Sequence, residues 1–324
     1  MIKTKTILLS VLFFGIGGIM MTNCVLAQEQ KAPQWEVMIC NYLLNQVSDE
    51  NTFQAAKDAG VKAIEIQVNP DLSCPSAIVD GKKPYRFDTP AHAKQVKEDA
   101  AKYGLKVPVL CAPLSITAEK KPAPKWALDL IKNAPEAGVR FIYFPVGAKD
   151  VPDDQFVANS IALFKELTAQ GKKSGVTIAF ENLQYYWNRM EITGKVLAAF
   201  KPDELGLCLD PINLYWYGYP RSKVYELVKE LIPRARHFHA KNVAHPEDKR
   251  ETQREPGWQY GENSVPVAGG DLNFGQILDW LHQSGYQGDV SIEDDSLGHY
   301  PKEQRIAVLR GDVEYLRSVI SALK

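Results

Sequence analysis

Glu181, Asp210, His239 and Glu293 are the residues of this sequence whose types and spacing could do chemistry together. Each stands near the end of a short apolar run: VTIAFEN, LGLCLD, RHFHAK and DVSIED. Glu181 to Asp210 and Asp210 to His239 are both steps of 29 residues, and His239 to Glu293 is a step of 54. Three carboxylates gathered away from water repel one another, and some would have to stay protonated. One divalent metal ion removes that conflict. An imidazole with three carboxylates suits Mn²⁺ first, with Mg²⁺, Co²⁺ or Zn²⁺ as alternatives. Taken singly, a Glu at a strand end is ordinary surface and a His in a strand is ordinary core. The shared position of all four is what argues for a ligand set. His237 lies two residues before His239 on the same strand face and is the alternative imidazole. Lys241 shares that face as well; a metal would repel it, which aims it at a substrate oxygen.

Such groups need a scaffold that delivers several strand ends to one place. Strand-length apolar runs recur along the chain: WEVMICN (35–41), VKAIEIQ (61–67), LKVPVLC (105–111), VRFIYFP (139–145), VTIAFEN (176–182), LGLCLD (205–210), RHFHAK (236–241) and DVSIED (289–294). Most are followed by a segment of helical period, such as TPAHAKQVKEDAAKYG. Eight strand-then-helix units predict a single-domain α/β chain, a (β/α)8 TIM barrel over residues 28–324. An open doubly wound sheet would need a Gly-rich phosphate loop after an early strand, and the sequence has none. Along the strands Thr177, Ala179 and Glu181 oppose Ile178 and Phe180, and Gly206, Cys208 and Asp210 oppose Leu207 and Leu209. Ala63, Glu65 and Gln67 oppose Ile64 and Ile66, and Ser291 and Glu293 oppose Val290 and Ile292. The large apolar faces belong against the helices and the small or polar ones inside the barrel. Neighbouring strands run about 4.8 Å apart, so four inward residues at neighbouring strand ends converge at the mouth. A polar, Gly-rich insertion over residues 243–272 lengthens the last step.

Composition removes other classes. A net charge of −1 and six scattered histidines give neither the basic face of a nucleic-acid binder nor a histidine-rich multinuclear nuclease site. Lys3 and Lys5, the apolar stretch Ile7 to Met21 and Val25-Leu26-Ala27 read as a signal peptide over residues 1–27. The expectation is an exported chain, periplasmic or secreted. A lipid anchor on Cys24 is the second choice, because Thr22-Asn23 is a poor lead-in to one. No further run is long enough to span a membrane. Cys40, Cys74, Cys111 and Cys208 are expected as free, mostly buried thiols rather than a disulfide framework. Nothing in the sequence sets an oligomeric state.

The motifs AFEN, LCLDPINL, HFHAKN, SIED and GGDLNF, with Glu65 in AIEIQ, carry a likeness over nearly all of residues 28–324. The chain resembles the sugar phosphate isomerase/epimerase family, the xylose isomerase-like TIM barrels. The resemblance implies one metal held by Glu181, Asp210, His239 and Glu293. It also implies that Glu181 and Glu293 move protons on either side of a carbonyl-bearing carbon, through an enediolate; Lys241, placed by its strand face, is the further catalytic candidate. Two positions depart from the pattern. Asn213 stands where the sugar epimerases commonly have His, and an amide neither gives nor takes a proton near neutrality. Asn242 stands where Asp is frequent. An export signal and the lack of an Arg/Gly phosphate grip point to an unphosphorylated sugar or keto-sugar. The expected activity is isomerisation or epimerisation, with hydration, dehydration or elimination on the same site as the alternative. Aromatic residues after two ligand strands suit sugar faces. Trp187 and Trp216 are therefore expected substrate contacts, with Glu65, Asn213 and His237 as further substrate-binding residues.

Overall fold

A computed structural model describes residues 33–323, in which eight parallel strands close on themselves and each is followed by a helix. The strands are β1 (Val37–Cys40), β2 (Ala63–Gln67), β3 (Lys106–Cys111), β4 (Phe141–Phe144), β5 (Thr177–Glu181), β6 (Gly206–Leu209), β7 (Ala235–Ala240) and β8 (Val290–Ile292). They neighbour one another in chain order, and β8 pairs with β1 to close the barrel. The principal helices are α1 (Thr52–Asp58), α2 (Pro90–Lys102), α3 (Lys125–Asn133), α4 (Asp153–Ser174), α5 (Met190–Ala198), α6 (Arg221–Leu231), α7 (Phe274–Gln283) and α8 (Lys302–Ala322). The expected signal peptide at 1–27 and Cys24 lie outside the described residues. Among the described residues no helix is long and apolar enough to cross a membrane.

The period-two pattern sorts the core as the strands require. Ile64, Ile66, Ile178, Phe180, Leu207 and Leu209 pack outward with the helices in one large apolar cluster. Each such side chain contributes about 1.5–3 kcal/mol when fully buried. The barrel interior holds a second cluster of Met38, Ala63, Val109, Phe141, Tyr143, Ala179 and Cys208. Small residues do line β5 and β6, but Phe141 and Tyr143 on the neighbouring β4 are large, so the interior is less uniform than alternation alone predicts. Helix starts are fixed locally: Asn51, Thr89 and Asn273 side chains accept from backbone N–H groups in the first turns of α1, α2 and α7. All four described cysteines are free, Cys111 being only partly buried.

The insertion after β7 is pinned at several points. Asn242–Val243 pairs antiparallel with Ser264–Val265. The buried Asn242 amide donates to Val267 and Leu272 carbonyls at 2.8 and 3.0 Å. A Cβ on Gly270 would stand 2.2 Å from that amide, so the first part of GGDLNF is a space requirement set by Asn242. Asp271 in the same motif accepts from Tyr215 Oη at 2.9 Å and from the His245 N–H at 2.9 Å. Gly218 has φ +104°, and a Cβ there would lie 2.0 Å from the Arg254 carbonyl oxygen. The insertion therefore crosses directly over the end of GLCLDPINLYWYG, with the Arg254 guanidinium 4.3 Å above the Tyr215 ring.

Candidate metal centre

Glu181 ends β5, Asp210 follows β6, His239 lies near the end of β7 and Glu293 follows β8. One ligand atom from each lies within 4.8 Å of all the others. Backbone geometry sets each position. Asn182, the last residue of AFEN, donates from Nδ2 to the Asp210 carbonyl at 2.7 Å and accepts the Asp210 N–H at 2.8 Å. That pair of hydrogen bonds extends the β5–β6 contact past the strand ends and fixes Asp210. Asp210 then caps the short helix Pro211–Trp216, its Oδ1 accepting from Ile212 N at 2.8 Å and Asn213 N at 3.2 Å. Its other oxygen, Oδ2, has no aligned hydrogen bond, although the Lys241 ammonium is 3.0 Å away. His239 Nδ1 likewise has no hydrogen-bond partner and faces Glu181 Oε1 and Glu293 Oε2, each at 3.4 Å. His239 Nδ1, buried among carboxylates without a hydrogen bond, and Asp210 Oδ2, held only by the charge of Lys241, are both free to meet a cation. The donor set, three carboxylates and one neutral-capable imidazole, fits a hard or borderline divalent ion.

Charge in the cluster is uneven. Burial pushes the Glu181 carboxyl up to about 7, and the Glu293 charge adds to this against the pull of His239. Burial also raises Asp210, only partly countered by Lys241. Glu293 is opposed by burial too, but Lys241 and His239 outweigh it and hold it well below the usual range. Burial disfavours the Lys241 cation, yet Asp210 and Glu293 keep it protonated. Its ammonium donates to Glu293 Oε2 at 2.6 Å and stands 3.6 Å from Asp295. Asn213 donates to Glu181 Oε1 at 3.1 Å, so it touches a cluster residue directly.

Three expected substrate contacts fall elsewhere. Trp187 is fully buried; it packs on Phe180 and Phe156 at 4.3 and 5.0 Å, and its indole N–H donates to the Val146 carbonyl. It is core behind β5, because the turn after Glu181 rotates its ring toward α4. His237 is 1% exposed, stacked on Tyr143 with Nε2 2.9 Å from Glu65 Oε2. It lies one layer below the mouth, bonded to Glu65 and not part of the four-residue cluster. Glu65 is 2% exposed and accepts five hydrogen bonds inside the barrel, so its oxygens are already engaged by protein donors. Trp216 is partly exposed and lies against Gly257 of the insertion. Tyr215, its neighbour, is buried and anchors the insertion rather than walling the site.

Several groups at the mouth carry no spacing signal in the sequence. Tyr42, just after β1, is partly buried beside Glu293 and Asp295, and desolvation followed by their charges pushes its hydroxyl well up. Tyr260 comes from the insertion and donates to Asp295 Oδ2 at 2.6 Å. Inside the barrel Tyr143 donates to Glu65 at 2.5 Å. Period-two reading of VRFIYFP would have placed Tyr143 inward with Phe141, and Asn182 could have been found from its place in AFEN.

The family model described as xylose isomerase-like TIM barrel matches residues 53–319. A xylose isomerase-like TIM barrel protein from Mycobacterium smegmatis, solved in complex with magnesium, shares 15% identity. It superposes with a TM-score of 0.63 over 90% of this chain and 98% of its own. A sugar phosphate isomerase/epimerase from Parabacteroides distasonis shares 16% identity at a TM-score of 0.58, covering 90% of this chain and 96% of its own. A probable 3-DHS dehydratase from Bacillus anthracis shares 13% identity at a TM-score of 0.56, covering 87% and 98%. No curated protein matches the chain.

Proposed function

The chain belongs to the xylose isomerase-like TIM barrel family, and from that premise we propose that it is an exported, divalent-metal-dependent isomerase or epimerase of an unphosphorylated sugar or keto-sugar. The observation that carries this is the convergence of Glu181, Asp210, His239 and Glu293 at the barrel mouth, with His239 Nδ1 and Asp210 Oδ2 making no hydrogen bond there. A divalent ion bound there supplies Lewis-acid polarisation of a substrate carbonyl. Manganese is the first choice for the donor set. A magnesium-bound neighbour of the same fold is compatible with a hard ion.

The chain's own groups supply the rest. Glu181 and Glu293 face each other across the cluster, one to take the proton from the carbon beside the carbonyl and one to return it to the other face or the next carbon. Asn213 holds the Glu181 carboxyl in place through Oε1. Lys241 donates to the oxygen that gains charge as the proton leaves. Trp216 offers an apolar face to the ring. Lys241 already faces three carboxylates, Asp210, Glu293 and Asp295. A phosphate dianion would meet excess negative charge there, which supports a neutral substrate.

Dehydration or hydration on the same site is the second reading. It is favoured by Asn213, which cannot relay a proton, and by Lys241, a protonated donor able to serve a departing hydroxyl. A panel of neutral keto-sugars incubated with the Mn²⁺-loaded protein in D₂O separates the two. Deuterium gain at otherwise unchanged mass is the result expected of an isomerase or epimerase. A change of one water assigns the second reading. No exchange with any metal or sugar would remove both.

A further inference from the structure

Inside the barrel, directly below the mouth, five donors from four other strands end on one carboxylate. Glu65 Oε1 accepts from Tyr143 Oη at 2.5 Å and from Cys40 Sγ at 3.3 Å. Glu65 Oε2 accepts from His237 Nε2 at 2.9 Å, Ser291 Oγ at 3.0 Å and His239 Nε2 at 3.3 Å. All of these residues are 2% exposed or less. Such a hub has two physical readings. Cys40, Glu65 and His239 bring ligand atoms close enough to hold a second metal. Alternatively, Glu65 is an anchor whose lone pairs are already spent on donors.

The geometry favours the anchor. A carboxylate offers about four lone-pair sites, and Glu65 meets five donors. The Cys40 thiol spends its proton on Glu65, and burial opposes its conversion to the thiolate a metal needs. His239 also has only two ring nitrogens. Nε2 faces Glu65, whereas Nδ1 is unpartnered and faces Glu181 and Glu293.

We propose that Glu65 is the positioning residue of the metal centre: it holds His239 by Nε2–H and thereby commits Nδ1 to the ion at the mouth. Carboxylate-to-histidine-to-metal chains of this kind fix both ring tautomer and ring direction, and losing the outer partner weakens metal binding tenfold to a hundredfold. Ser291 and His237 hold the same Glu65 oxygen from the sides, and Tyr143 and Cys40 hold the other. The anchor therefore stands on β1, β4, β7 and β8 together and does not depend on any loop. It rests on the four-residue site proposed above but concerns a different residue, a different ring nitrogen and no step of turnover.

The test uses Mn²⁺ alone, titrated against a chelator, on the wild-type chain, Glu65→Gln and Tyr143→Phe. One ion per chain is expected in all three. Glu65→Gln, which keeps shape but loses charge, should bind at least about tenfold more weakly. Tyr143→Phe, which touches only the far oxygen, should stay within about threefold. Loss of a second ion in Glu65→Gln would make Glu65 a ligand and overturn the proposal. So would unchanged affinity in that variant, or an equal loss in Tyr143→Phe. If Glu65→Gln does not fold, nitrogen NMR of the ¹⁵N-histidine, ¹¹³Cd-loaded wild type decides alone. Cadmium coupling to His239 Nδ1 with the Nε2 proton retained is expected; coupling to Nε2 overturns the proposal. A wild type that takes up no ion would instead defeat the functional reading itself.

Discussion

Replacing Asp210 separates its two oxygens. Oδ1 caps the helix Pro211–Trp216, whereas Oδ2 is turned to the cluster with no aligned partner. Asp210→Asn keeps a capping carbonyl and replaces only the cluster-facing oxygen with an amide. Asn and Asp cap about equally well, so the cap itself should lose next to nothing. Asp210→Ala removes both, and loss of a cap costs about 1 kcal/mol, up to about 2. For domains of 150–250 residues that corresponds to a fall in Tm of about 2–4 °C per kcal/mol, and this longer chain belongs at the lower end. Metal affinity should behave differently. Both variants lose a direct ligand, so each should weaken Mn²⁺ binding by more than the tenfold to hundredfold that an outer partner is worth. Calorimetric titration of Mn²⁺ and thermal unfolding in chelator, run on both variants, give the two readouts. Asp210→Asn retaining wild-type affinity would refute the assignment of Oδ2. Asp210→Ala unfolding at the wild-type temperature in chelator would refute the capping role.

Glu293→Gln should fold and melt within a few degrees of wild type, yet lose roughly 10²–10⁴ in turnover of whichever keto-sugar the D₂O screen identifies, because Gln cannot carry the proton. Gly218→Ala forces a side chain onto the Arg254 carbonyl and into a left-handed backbone, and urea unfolding should show a loss of roughly 1–3 kcal/mol. Asp312, buried in α8, accepts the Val267 N–H at 2.8 Å, and burial with the neighbouring Asp294 pushes its carboxyl up to about 9. Because the folded state holds that proton more tightly than the unfolded one, the stability it contributes is full below about pH 4 and is lost as pH rises toward about 9. Melting curves should therefore fall between pH 6 and 9 for the wild type, and Asp312→Asn should flatten that fall; equal slopes would contradict the shared-burial cause.

Much of this was legible because barrels write their topology into the sequence. Every one of the eight apolar runs became a strand, and the outward faces of VTIAFEN and LGLCLD packed against helices as alternation requires. The four strand-end residues came together because parallel neighbours of a closed barrel leave inward side chains no other destination. What failed was depth and loop direction. Glu65 and His237 share the inward face with the ligands, but period two says which face and not which layer, and both lie beneath the mouth. Trp187 sits in a four-residue helix whose rotation, set by Asn188 and Gln184 bonding, turns it into the core. Tyr260 and Asp295 meet across 35 residues through the fold of the insertion, a contact no local pattern encodes. Asn242, a departure from Asp at the level of motif, has a plain structural reason: its amide donates to two carbonyls, which a carboxylate could not do.

Anomalous diffraction from Mn²⁺-loaded crystals tests the central claim most directly. One peak per chain is expected, within bonding distance of Asp210 Oδ2, His239 Nδ1 and carboxylate oxygens of Glu181 and Glu293. A peak instead among Cys40, Glu65 and His239 or among Cys208, His237 and His239, or no peak in crystals soaked at saturating Mn²⁺, would contradict it.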